Sequence, residues 1–140
     1  MERTKSNFMY MREACGITQI QAAEALGVSK DTLRKWEKPS GGEPPEDAWE
    51  YIEEAYEMHL WAVDSAVEAF LDAHEEHGVE IASFTYYRNQ RQYDEVGRDP
   101  GFFTRANSNA RAAAERILGM GFEVEFRYPE TAVRTPGSRY

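Results

Sequence analysis

Between Pro45 and Gly78 the apolar residues Trp49, Ile52, Tyr56, Leu60, Val63, Val67, Phe70 and Leu71 step by three or four, the spacing that aligns side chains along one face of an α-helix. Pro44-Pro45 followed by Glu46-Asp47 suits a first helical turn, because proline brings a helical φ and acids favour the positive end of the helix dipole. Gly78 suits the residue just past the last turn. A helix from about Pro45 to about His77, rising ~1.5 Å per residue, is a rod of roughly 50 Å, longer than a small domain is wide. Such a rod must bridge two bodies, bend, or pair with another chain.

Three shorter helices precede it. Phe8, Met9, Met11 and Ala14 recur at rough helical spacing up to Cys15, where Gly16 stops the pattern. Thr18 can cap a second helix through Leu26, with Gly27 at its exit, and Ser29 can cap a third from Lys30 to about Lys38. Pro39-Ser40-Gly41-Gly42 then breaks regular structure. After Gly78 the period changes to two: Val79, Ile81 and Ser83 alternate with Glu80, Ala82 and Phe84 up to Tyr87, and Phe122, Val124 and Phe126 alternate with Glu123, Glu125 and Arg127. Between these two strands, Tyr93 to Val96 reads as a short helix and Ala106 to Leu118 as a longer one. Residues 129–140 carry two prolines, a glycine and little apolar content, the composition of a flexible tail.

The formal charge of −9 is unevenly placed. Residues 1–42 sum to +2 and residues 81–140 to +2, while residues 43–80 hold thirteen Asp/Glu and no Lys/Arg. Affinity for phosphates depends on which face presents cations, so an acidic total does not exclude a nucleic-acid partner. A single cysteine, Cys15, cannot form an internal disulfide, no apolar run approaches a membrane span, and no apolar stretch follows Met1-Glu2-Arg3-Thr4-Lys5. These features predict a cytoplasmic chain with no membrane partner.

The segment Thr18-Gln19-Ile20-Gln21-Ala22-Ala23-Glu24-Ala25-Leu26-Gly27-Val28-Ser29-Lys30-Asp31-Thr32-Leu33-Arg34-Lys35-Trp36-Glu37 carries the most information. Ala23 is small where two helices must approach, Gly27 makes the turn, and Val28 fills the angle between them. On the third helix Leu33 and Trp36 share one side, while Lys30, Asp31, Arg34 and Lys35 point elsewhere. The segment resembles a helix-turn-helix of the lambda-repressor and Cro type. That resemblance implies base or phosphate contacts from Ser29, Lys30, Asp31, Thr32, Arg34 and Lys35 on the third helix, and a phosphate contact from Gln19 at the start of the second. Lys38, just beyond the third helix, joins this set as a candidate phosphate contact or a solvated lysine. Each has a plainer structural role open to it: Ser29 as a helix cap and Asp31 as a complement to the helix dipole. Val28 to Glu37 is also similar to the opening helix pair of the MerR family. MerR proteins follow that pair with a β-wing, whereas here Pro39 to Pro45 leads straight into an acidic helix, which favours the Cro-like reading.

Taken over most of its length, the order of elements looks like that of small phage and bacterial autorepressors associated with anti-CRISPR genes, in which the C-terminal part dimerises. The resemblance implies a homodimer, and pairing across a two-fold would bury Phe84, Phe122 and Phe126, with Tyr86 and Val124 as further candidates. The same pattern would suit an intramolecular core. The expected fold is mainly α with a small α+β C-terminal part. It divides into a helix-turn-helix bundle with the long acidic helix (1–77), a β-α-α-β dimerisation domain (78–128) and the tail (129–140).

His74-Glu75-Glu76-His77 does not have metalloprotease spacing and reads as a solvated helix end, so no metal is expected. Cys15, four residues from Met11, reads as a small buried hydrophobe. No Ser-His-Asp order, phosphate-binding loop or catalytic carboxylate pair is present, so the expectation is no enzyme and no cofactor. The chain reads as a sequence-specific DNA-binding regulator, a dimeric repressor on a palindromic double-stranded operator. The alternative is an antitoxin-type interaction protein whose acidic segment, residues 43–80, binds a basic protein partner.

Overall fold

A computed structural model of the chain describes residues 1–130; all but the first two residues of the expected tail lie outside the described residues. Packing divides the chain into two compact units, Met1–Trp61 and Ala62 onward, with the division inside the long helix.

The first unit contains α1 (Lys5–Cys15), α2 (Gln19–Leu26), α3 (Lys30–Glu37) and the first half of α4 (Glu46–His77). Short-range hydrogen bonds set the helix starts. The Thr4 hydroxyl accepts from the Asn7 N–H at 3.0 Å, which begins α1 three residues before its first apolar residue, Phe8. Thr18 and Gln21 form a reciprocal capping box at α2. The Ser29 hydroxyl accepts from the Thr32 N–H at 3.0 Å at the head of α3. Gly27, between α2 and α3, has φ +67°, a left-handed conformation that any side chain would strain. Phe8, Met11, Leu33 and Ile52 are fully enclosed, and Phe8 lies edge-on to both Trp36 (6.3 Å) and Trp49 (5.3 Å). Val28 packs against this core and Ala23 lies within it, in keeping with their expected places between α2 and α3. Cys15 is buried, as its spacing from Met11 predicts.

The long helix spans Glu46–His77 without interruption. Its buried line corrects one residue of the expected stripe. Leu60 is exposed, and the inward position is His59. From Ile52 and Ala55 a true 3.6-residue repeat passes through 59 to Val63 and Val67, so an apolar letter at 60 sits out of phase with the core. No helix among the described residues is long and apolar enough to cross a membrane.

The second unit contains the remainder of α4, then β1 (Ile81–Thr85), α5 (Gln90–Val96), α6 (Phe103–Gly119) and β2 (Glu123–Arg127). The two strands pair in parallel, with Ile81 beside Glu123 and Thr85 beside Arg127. Val63, Val67 and Phe70 of α4 meet Ala82 of β1 and Ala113 and Ile117 of α6 in one core. Both inner helices start earlier than their apolar pattern suggests. Asn89 caps α5 by accepting from the Gln92 N–H at 2.9 Å. The Phe103 N–H at the head of α6 is taken by the Gln90 side chain, 3.1 Å away, a tertiary contact with no local signature.

Candidate nucleic-acid interface

Helix α3 buries Leu33 and Trp36 and leaves Lys30, Asp31, Arg34 and Lys35 exposed, with Thr32 half-buried beside the capping Ser29. A helix fixed by one side and cationic on the other can lie in a DNA major groove ~12 Å wide. The cations are not independent. Asp31 accepts from Arg34 at 2.5 Å and lies 3.4 Å from Lys35. Lys35, and secondarily Arg34, hold the Asp31 carboxyl below the usual carboxylate range, so it is ionised at neutral pH. One carboxylate thus offsets two of the three cationic groups on α3 and holds them along one line of the helix. Lys30 has no ion-pair partner among the described residues and is exposed.

The angle at which α3 is presented depends on a buried network that sequence reading did not single out. The Arg12 guanidinium grips Glu37 at 2.6 Å (Nε) and 2.9 Å (Nη2) and donates its third bond, also 2.9 Å, to the Ile17 carbonyl. Both side chains are almost wholly enclosed, 8% and 4% exposed. The Gln19 Nε2 donates to the same Glu37 carboxylate at 3.1 Å. One buried Arg12–Glu37 pair therefore joins four points of the bundle: the end of α1 and the α1–α2 turn through Arg12, and the start of α2 and the end of α3 through Glu37. Gln19, assigned to a phosphate by resemblance, is half-buried with part of its amide engaged in this network. The signal for Arg12 was available: Phe8, Met11 and Cys15 mark the inner side of α1, and a cation at position 12 falls on that side.

A second anchor holds the same C-terminal end of α3. Lys5 donates to the Lys35 carbonyl at 3.1 Å and to the Gly42 carbonyl at 2.5 Å, placing a cation at the negative end of α3. Lys38 caps that end with an extended backbone and an exposed side chain. Gly41, at φ +125°, passes so close that an added Cβ would lie 3.0 Å from the Lys35 carbonyl. The turn after α3 is thus tied to it.

The C-terminal candidates lie in the second unit. Phe84, Phe122 and Val124 are half-buried against its core, while Phe126 is exposed and packs against Phe84 (5.9 Å) and Tyr86 (5.5 Å). His74 donates from Nδ1 to the Val79 carbonyl (2.8 Å) and lies edge-on to Phe122 (4.7 Å), which ties the end of α4 to the sheet. Among the described residues no group of three or more His, Cys, Asp or Glu is placed to hold a metal ion.

Residues 8–57 match the family described as Helix-turn-helix. The matched segment covers α1 through the first part of α4, including the whole Arg12–Glu37–Gln19 network, and the match supports a DNA-binding regulator. No curated protein matches the chain.

Proposed function

We propose that the chain is a sequence-specific transcriptional repressor that binds an inverted-repeat operator as a homodimer, with α3 in the major groove. The observation that carries this reading is the exposed face of α3, cationic and free of packing, on a helix whose opposite side is buried and whose C-terminal end is held from α1 and α2. In this reading Lys30, Arg34 and Lys35 donate to guanine edges or phosphates, and Asp31 and Thr32 select among neighbouring bases. Ser29 and Gln19 approach the backbone where the helix N-termini face it, and Lys38 adds a phosphate contact. A single helix-turn-helix reads few base pairs, so a second copy from dimerisation of the C-terminal β-α-α-β part, residues 78–128, supplies the second half-site about one turn, ~34 Å, away. Blocking a promoter from such a site needs no cofactor.

The competing reading, in which residues 43–80 wrap a basic protein partner, draws on the same acidity. It gains less support, because Trp49, Ile52, Val63 and Val67 of that segment are already committed to the chain's own cores.

Selection of bound duplexes from a random pool tests the proposal. The expected outcome is a palindromic consensus bound by two chains. Arg34→Ala or Lys35→Ala should weaken binding by about 1–3 kcal/mol and relax one position per half-site if the contact is to a base, or weaken all sequences alike if it is to a phosphate. An asymmetric site bound by one chain, or both variants binding like the parent, refutes it.

A further inference from the structure

The free edge of β1 is bounded with a symmetry that bears on how a second copy attaches. The Tyr86 N–H donates to the Arg127 carbonyl at 2.8 Å, so even-numbered residues of this strand turn their backbone groups toward β2. In a parallel pair, the odd-numbered Ile81, Ser83 and Thr85 then turn theirs away. Among the described residues β2 is the one strand paired with β1, so those groups face no neighbouring strand. At one end, Val79 is taken by its own chain: its N–H bonds the Ala73 carbonyl (3.4 Å) and its carbonyl bonds His74. At the other end, the buried Asn107 amide closes on Tyr87, accepting from its N–H at 2.9 Å and donating to its carbonyl at 2.8 Å. Val79 and Tyr87 are equidistant from Ser83. The unpaired stretch is therefore centred on Ser83.

The side chains along this stretch fit the same axis. Ile81, Ser83 and Thr85 are uncharged and exposed, whereas every outer-face position of β2 is charged, by Glu123, Glu125 and Arg127. Charged edges are how sheets refuse further pairing, and an uncharged edge invites it. A two-fold at Ser83 would set Ser83 against Ser83, Ile81 against Thr85, and Ala82 against Phe84, so that the small residue accommodates the large one in the close non-hydrogen-bonded position. No like charges meet.

We propose that the β1 edge pairs antiparallel with the β1 edge of a second copy, centred on Ser83, making a four-stranded sheet in the order β2-β1-β1-β2 across the dimer. This rests on the dimeric reading above and adds to it the strand, the register and the residue on the axis.

Two measurements on the full chain test it. Facing residues in such a pair have Cα atoms about 5.5 Å apart, within bridging range of a disulfide, so Ser83→Cys should convert the chain to a covalent dimer under mild oxidation. Glu125→Cys, whose two copies would be separated by three strand spacings, roughly 14 Å, should not. The remaining thiol, Cys15, is buried and serves as the silent background. In sedimentation, Ser83→Pro should raise the dimer dissociation constant at least about tenfold, because it removes the central outward N–H while leaving the β2 ladder intact. Ser83→Ala, which keeps that outward N–H at the same position, should leave it unchanged. A parent chain that sediments as a monomer even with operator DNA overturns the dimeric reading and this proposal together. A parent dimer with no Ser83→Cys cross-link, or a Ser83→Pro variant as dimeric as the parent, overturns this interface alone.

Discussion

Glu37→Gln is the perturbation that most directly probes how α3 is held. The substitution keeps the shape of the side chain and deletes its charge, leaving the Arg12 guanidinium enclosed without a counter-ion. Uncompensated buried charges of this kind cost about 3–5 kcal/mol. For a unit of this size that corresponds to a fall in melting temperature of at least about 12 °C. All three tryptophans, Trp36, Trp49 and Trp61, lie in the first unit, so tryptophan fluorescence during urea unfolding reports this unit separately from the second. The paired change Arg12→Met with Glu37→Met should recover most of the loss, since a well-packed apolar pair often replaces a buried ion pair at little cost. The double-mutant cycle then gives the coupling. Operator affinity should fall in Glu37→Gln even at temperatures where the unit stays folded, because Gln19 loses its charged acceptor. A loss below about 1 kcal/mol for Glu37→Gln, or strictly additive single and double variants, would refute the claim that this carboxylate organises the bundle.

Asp31→Asn should tighten binding to random-sequence DNA and steepen its salt dependence, because the carboxylate that offsets Arg34 and Lys35 is gone; a titration over ionic strength with unchanged slope and affinity contradicts this. Trp36→Ala should cost roughly 3–5 kcal/mol in the first unit, read by thermal unfolding, and an unchanged melting temperature would contradict the inward placement of Trp36. Tyr56, whose hydroxyl burial, and then its bond to Tyr10, push its pKa up to about 12, titrates lower in the unfolded chain. Its contribution is therefore complete below about pH 10 and lost as pH rises toward 12. Tyr56→Phe should flatten that decline in stability.

What the sequence determined by itself was everything carried by local chemistry. Thr18, Ser29, Gly16 and Gly27 mark their helix ends through side-chain oxygens and left-handed backbone within a few residues of each other, and α2 runs over the residues those signals bracket. The sidedness of α3 followed from the spacing of Leu33 and Trp36 alone. Tertiary structure decided the rest. The line of α4 passes through His59 and not Leu60 because the phase of a long helix is set by what packs on it, and a periodicity count weighs apolar letters only. Arg12, Glu37 and Gln19 meet across separations of 25 and 18 residues, and a charged residue on an inner face announces that it needs a partner without saying which. The start of α6 depends on a side chain from α5. The free stretch of β1 is defined by Asn107, twenty residues away from Tyr87. Alternation can show that a strand exists, but which of its backbone groups remain unpaired is decided by residues that arrive only when the chain has folded.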